Sequence, residues 1–247
     1  MPLFDNSNME QHPAGASSFG FSATRISDLG ASEYTLVCVA VDTSGSVDGF
    51  KTDLEACVKE VVRSCQHSPR RDNLMLRLLK FDDSATELHG FRQLSECELV
   101  TYNDCVQIGG FTALYDAGVN AVGSVVDYAK ALDRADYKAN GIVVIITDGQ
   151  DNVSSATEGA VREALERAVK SEALESLVTI LVGVNVQRQT VKRYLEQFSK
   201  AAGFTQYVEL GDASSSTLAK LAKFVSKSVS AQSQALGTGG PSQALTF

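Results

Sequence analysis

Residues 142–147 read Ile-Val-Val-Ile-Ile-Thr, an unbroken β-branched run. A strand with no polar face must be covered on both sides, which is the situation of a parallel sheet flanked by helices. Residues 36–41 and 177–184 have the same character. Amphipathic helical patterns lie between these runs. Phe50, Leu54, Cys57, Val58, Val61, Val62 and Cys65 recur along one helix face, and Pro69 stands just past its end. Leu114, Gly118, Ala121, Val122, Val125, Val126 and Ala129 mark a second helix, and Val161, Leu165, Ala168 and Val169 a third. Val191, Leu195 and Phe198 mark a fourth, and Leu218, Leu221, Ala222 and Val225 a last one.

Further strands are expected at 74–81, 85–91 and 207–210. The short Asp82-Asp83-Ser84 connection makes 85–91 an antiparallel edge strand. The alternation predicts a doubly wound, mostly parallel α/β sheet of about six strands with helices on both faces. Residues 1–32, rich in Ser, Gly, Ala and Asn, read as an extension only partly ordered against a domain at 33–229. Residues 230–247 read as a disordered tail.

At 44% hydrophobic and 21% charged, the chain has an ordinary globular composition. Its formal net charge of -8 argues against nucleic acid or an anionic membrane as partner, because both select basic surfaces. The five cysteines are odd in number and lack C-x-x-C spacing, so free thiols in a reducing compartment are expected. Met1-Pro2-Leu3-Phe4-Asp5-Asn6 has neither the basic nor the apolar segment of a leader, and no apolar run approaches a membrane span. A cytoplasmic location is the expectation.

The chemistry lies in three short segments. Asp42-Thr43-Ser44-Gly45-Ser46 places a carboxylate and two alternate hydroxyls on the loop leaving the first strand run, where open α/β sheets bind ligands. Gly109-Gly110-Phe111-Thr112 ends in a hydroxyl before a helix, and Ile146-Thr147-Asp148-Gly149 places a carboxylate at another strand end. Oxygen donors of this kind suit a hard divalent cation. Each segment also has a plain structural reading: Asp42, Ser44 or Thr112 as helix caps, Asp148-Gly149 as a turn, and Asp116, Asp151 and Asn152 as turn or surface groups.

In these segments, over roughly residues 34–228, the chain resembles the von Willebrand factor type A (vWA) domain family. The family's metal-ion-dependent adhesion site (MIDAS) combines D-x-S-x-S, a threonine on a second loop and an aspartate on a third. Asp42, Ser44 and Ser46 match the first element, Thr112 the second and Asp148 the third. The resemblance implies that Ser44 and Ser46 bind the metal through their hydroxyls. It implies that Thr112 binds directly or through water, and that Asp42 and Asp148 act largely through bound waters. The cation is expected to be Mg²⁺ or Mn²⁺ rather than Ca²⁺, since few carboxylates are offered.

The function implied is a non-enzymatic module that docks a partner's Glu or Asp through the cation. Cytosolic relatives work as adaptors with AAA+ ATPases acting in trans, or with kinases and phosphatases of stress systems. The alternative is a Mg²⁺-dependent phosphoryl-transfer enzyme or hydrolase with Asp42 as nucleophile. Against it, position 44 is Ser where a D-x-D pair would be needed, and no G-x-x-x-x-G-K-[ST] or G-x-S-x-G segment is present. An intramolecular ligand is a further expectation: the C-terminal carboxylate, Asp28 or Glu33 occupying the site.

Overall fold

The computed structural model describes residues 7–13, 19–242 and 244–247. Eight strands form one sheet in the order β1-β2-β5-β4-β3-β6-β7-β8. They are β1 (Met9–Pro13), β2 (Gly20–Thr24), β3 (Glu33–Asp42), β4 (Leu74–Phe81), β5 (Ala85–Gln93), β6 (Lys138–Thr147), β7 (Leu177–Gly183) and β8 (Gln206–Glu209). Among the described residues there are five α-helices: α1 (Lys51–Gln66), α2 (Leu114–Asp133), α3 (Glu158–Val169), α4 (Gln189–Ala202) and α5 (Ser215–Thr238). The pairs β4–β3, β3–β6, β6–β7 and β7–β8 are parallel, and β5 runs antiparallel to β4 as its short connection requires.

Alternation of side chains along the strands divides the core in two. Val37, Val39 and Val41 of β3 face α1 and α5, whereas Leu36, Cys38 and Ala40 face α2, α3 and α4. β6 is buried over its whole length after Lys138, which accounts for its unbroken β-branched stretch. All five cysteines are buried and free. Burial pushes the thiols of Cys57, Cys65 and Cys105 up to about 12, so they remain protonated and pack as small apolar groups.

The strand count exceeds six because the segment expected to be an extension supplies two strands. β1 and β2 form an antiparallel pair, and β2 joins β5 in parallel through Ala23 and Phe91. β5 is therefore not the outermost strand. Gly90 makes the approach possible, since a Cβ there would lie 1.9 Å from the Ser22 carbonyl oxygen. Residues 1–6 and 14–18 of the same segment lie outside the described residues.

The expected C-terminal tail also differs, because α5 continues to Thr238 and is closed by Gly239 in the left-handed conformation. Beside Val225 and Val229 it buries Ser226 and Ser228, and in its last turns the buried positions are Gln232 and Ser233. The Gln232 carbonyl accepts from Asn140 at 2.7 Å, and Ser233 accepts from Arg70 Nε at 2.9 Å. Beyond the helix, Ser242 reaches Gln232 Oε1 at 2.6 Å and Phe247 packs edge-on against Phe224.

In β5, His89 is buried and bonded on both sides. Nδ1 donates to the Gly90 carbonyl at 2.8 Å and Nε2 accepts from the Tyr102 hydroxyl at 2.9 Å. Burial, with Arg92 and Arg77 nearby, pushes its pKa down to about 3 from 6.5. Between those values the unfolded chain binds a proton that the folded chain does not. This contribution to stability is therefore complete above pH 6.5 and is lost as pH falls toward 3. Urea midpoints measured from pH 7 to pH 4.5 should fall more steeply for the wild type than for His89→Gln. Parallel slopes would refute the assignment.

Candidate metal centre

The parallel pairing of β3 with β6 brings their carboxyl ends side by side. This is also where the crossovers leave in opposite directions, through α1 to β4 and through α3 to β7. Asp42 ends β3, and Thr147 ends β6 beside it. The Thr147 hydroxyl donates to Asp42 Oδ2 at 2.6 Å, and the Ser44 backbone N–H donates to Oδ1 at 2.8 Å. Asp42 is 1% exposed, and desolvation raises its pKa to about 6 despite these bonds, with the nearby Asp148 adding to the rise.

Ser46 Oγ donates to Asp148 Oδ1 at 2.7 Å and lies 3.1 Å from Ser44 Oγ. Burial also raises the Asp148 pKa, opposed by the Ser46 hydrogen bond. Because Ser46 gives its proton to Asp148, its lone pairs face away from the carboxylate. Ser44 is then the donor between the two hydroxyls.

Thr112 reaches the same place from the other side of the sheet's end. Its backbone N–H donates to Asn152 Oδ1 at 2.8 Å, and Asn152 N–H donates back to the Thr112 carbonyl at 3.1 Å. The Thr112 hydroxyl makes no hydrogen bond among the described residues, and a Cβ on Gly149, the residue after Asp148, would lie 3.6 Å from it. The capping alternatives fail on this geometry. Ser44 precedes a 3-10 turn at Gly45–Phe50 without a side-chain cap bond, and Ala113 occupies the N-cap of α2. The first turn of α2 is instead capped from outside. Tyr115 N–H donates to Asp151 Oδ1 at 3.2 Å and to Ser154 Oγ at 3.1 Å.

Groups with a plain turn or surface reading hold the loops in place. Asp116 is buried, and its two oxygens accept from the N–H groups of Ser155 and Ala156 at 3.0 and 2.8 Å. Asp83 Oδ1 accepts from Phe111 N–H at 2.7 Å, and the Asp82 carbonyl accepts from Ala113 N–H at 2.7 Å. Gly109 and Gly110 are required here, since a Cβ on either would fall within 2.6 Å of the Asp82 or Asp83 carboxylate. The Gly110 carbonyl in turn takes Gly45 N–H at 3.1 Å, joining the second loop to the first.

The intramolecular ligands expected from the tails are not at the site. Glu33 opens β3 at the end opposite Asp42 and pairs with Arg70, and the Asp28 carbonyl takes Gln93 at the far end of β5. Phe247 lies on Phe224 of α5.

The von Willebrand factor type A domain model matches residues 37–227. The chain belongs to the von Willebrand factor type A family. Solved structures share the fold. The minor pilin PilB of Streptococcus sanguinis superposes with a TM-score of 0.61 at 14% identity, over 89% of this chain and 66% of the other. The pilus adhesin SpaC of Lactobacillus rhamnosus GG, in its open conformation, gives 0.60 at 12%, over 85% and 31%. Proximal thread matrix protein 1 of the mussel byssus, in a form with a zinc-occupied MIDAS motif, gives 0.53 at 16%, over 81% and 46%. This vWA chain thus spans between about a third and two thirds of their lengths, and at these identities the likeness is one of fold. Comparison with curated protein sequences gives no match.

The donor set of the vWA chain fits a small hard cation. The 3.1 Å between the Ser44 and Ser46 hydroxyls matches the edge of about 3.0 Å between adjacent ligands of an octahedral ion with 2.1 Å bonds. Among the described residues no three His, Cys, Asp or Glu side chains converge as a metal cluster. A groove of about 550 Å³ opens beside them, lined by Ser46, Thr112 and Asp148 at one end and by residues after β7 at the other.

Proposed function

We propose that this vWA domain is a metal-dependent protein interaction module. Ser44, Ser46 and Thr112 supply hydroxyl oxygens to a divalent cation, and Asp42 and Asp148 balance its charge through waters. The observation that carries the reading is the pair of hydroxyls 3.1 Å apart, each beside a carboxylate already engaged by the chain itself. Bound there, the cation supplies an electrophilic position for a Glu or Asp carboxylate of a partner protein. Mg²⁺ or Mn²⁺ suits hydroxyl donors better than Ca²⁺ does. The zinc in the byssus protein's MIDAS motif makes Zn²⁺ a further ion to test.

The rim supports docking of a protein. Phe111, beside Thr112, is 61% exposed, and Val153, beside Asn152, is 39% exposed. Apolar side chains around a charged centre are what a partner's surface can cover. Enzymatic use of Asp42 has less support, because both of its oxygens are bonded within the chain and the groove lining holds no His, Cys or Lys.

The five buried free thiols are consistent with a cytoplasmic adaptor. Such an adaptor serves an AAA+ ATPase in trans, or a kinase or phosphatase system. Nucleic acid is an unfavourable partner for a chain of net charge -8, and no described helix is long and apolar enough to cross a membrane. The test is capture of the partner from the source cell by wild type and by Asp148→Ala, each with Mg²⁺ and with EDTA. A partner held only by wild type with Mg²⁺ is the expected result. Equal capture in all four arms would place binding elsewhere.

A further inference from the structure

The groove that opens at the hydroxyl donors continues to the loop after β7, where Asn185, Gln187 and Arg188 line it. That loop is fixed at both ends. Val184 N–H donates to the Thr147 carbonyl at 2.8 Å, and Val186 N–H donates to the Leu210 carbonyl at 3.1 Å. Asn185 takes the left-handed conformation at φ 56°, which asparagine tolerates better than most residues. Lys192 N–H then donates to the Arg188 carbonyl at 3.1 Å as α4 begins. A side chain on this backbone is presented at a defined place.

Three ionisable side chains line the groove: Asp148, Asp151 and Arg188. Asp148 accepts from Ser46, and Asp151 accepts from Tyr115 N–H and Ser154. Arg188 is exposed and makes no side-chain hydrogen bond or ion pair among the described residues. Glu209, at the end of β8, is already paired with Lys192 at 2.7 Å. The groove therefore holds a guanidinium that makes no ion pair within the fold, continuous with a site for a carboxylate-bearing partner.

We propose that the groove takes an extended acidic segment of a partner protein through two carboxylates. One meets the cation, and the second, at a fixed spacing along the segment, pairs with Arg188. Guanidinium groups bind carboxylates through two parallel N–H bonds, so Arg188 would select a second acid by position as well as by charge. The proposal rests on the metal-docking reading for its first carboxylate only.

The test is selection from a phage-displayed random heptapeptide library on wild type and on Arg188→Glu, each with Mg²⁺ and with EDTA. Arg188 has no partner in the fold, so the variant should keep the wild-type melting temperature. Wild type with Mg²⁺ should enrich peptides with two acidic residues at constant spacing. Arg188→Glu should keep the first acid, replace the second by Lys or Arg, and bind the wild-type peptide at least tenfold more weakly. Absence of a second acid, its equal enrichment on both proteins, or no enrichment at all would overturn the proposal. A second-position preference that follows residue 188 in EDTA as well as in Mg²⁺ would uphold the groove and refute the metal reading. A single acid enriched only with Mg²⁺ would do the reverse.

Discussion

Ser46→Ala should leave the metal-free protein's melting temperature within about 2 °C of wild type and abolish its rise on adding a divalent cation. The side chain is exposed, and substitutions at such positions usually change stability by no more than about 0.5 kcal/mol. The cation's contribution is a matter of mass action. At free cation about 100-fold above Kd it stabilises the folded state by about 2.7 kcal/mol. For a chain of this size that corresponds to a rise of roughly 5–10 °C. Removing the Ser46 hydroxyl deletes one donor of the 3.1 Å pair and leaves Asp148 without its hydrogen-bond donor. Thermal melts across Mg²⁺, Mn²⁺, Ca²⁺ and Zn²⁺ series would rank the ions at the same time. A variant that melts like wild type in every series would remove Ser46 from the site.

Glu87→Ala is expected to produce the largest loss of stability, about 3 kcal/mol or a fall in melting temperature of roughly 6–12 °C. Its partner Arg77 is fully buried in the middle of β4. Arg77 Nε donates to Glu87 at 2.7 Å, Nη1 donates to Ser124 Oγ at 3.0 Å, and Nη2 has no partner among the described residues. Glu87 also accepts the Ser22 backbone N–H at 3.1 Å and the Ser22 hydroxyl. Its removal leaves a buried charge unpaired and unfastens β2. The double variant Arg77→Met with Glu87→Gln removes the charge itself and should recover most of the loss. Equilibrium urea unfolding of wild type, Arg77→Met, Glu87→Gln and the double variant forms the cycle, and a double variant as unstable as Glu87→Ala would show that the charge is not the cause.

The comparison of sequence with structure is informative where it failed. The strands between β3 and β8 were legible because apolar periodicity reports burial directly, and 74–81 was placed residue for residue. The β1–β2 pair was not legible, because β2 offers only Phe21 and Ala23 as apolar positions, too few to establish a period. Its place depends on Gly90 and Glu87, far along the chain. The end of α5 was missed for a related reason. Beyond Val229 its buried positions are Gln232 and Ser233, whose neighbours Asn140 and Arg70 no local pattern can supply.

At the site, the five candidate donors were readable from motif and strand end, and they lie on the three loops that meet there. The groups that set their geometry were not readable. Thr147 adjoins Asp148 but lies outside the motif, and Asp82, Asp116, Asp151 and Asn152 carry no local signal beyond that of turn residues. Each acts across 36 to 105 residues of chain or on another loop's backbone, so only the β3–β6 neighbourhood and the packing of α2 could reveal them.

The docking of β2 also sets the order of assembly. Ser22 lies 65 residues ahead of Glu87, so the hairpin leaves the ribosome well before the strand that receives it. Its docking strand is available only after β3, α1, β4 and β5 have been synthesised. Once seated, it covers a sheet margin that would otherwise be open to another chain. Cutting the chain just ahead of β3 would therefore expose that margin and leave Glu87 without Ser22, making a shortened protein prone to self-association.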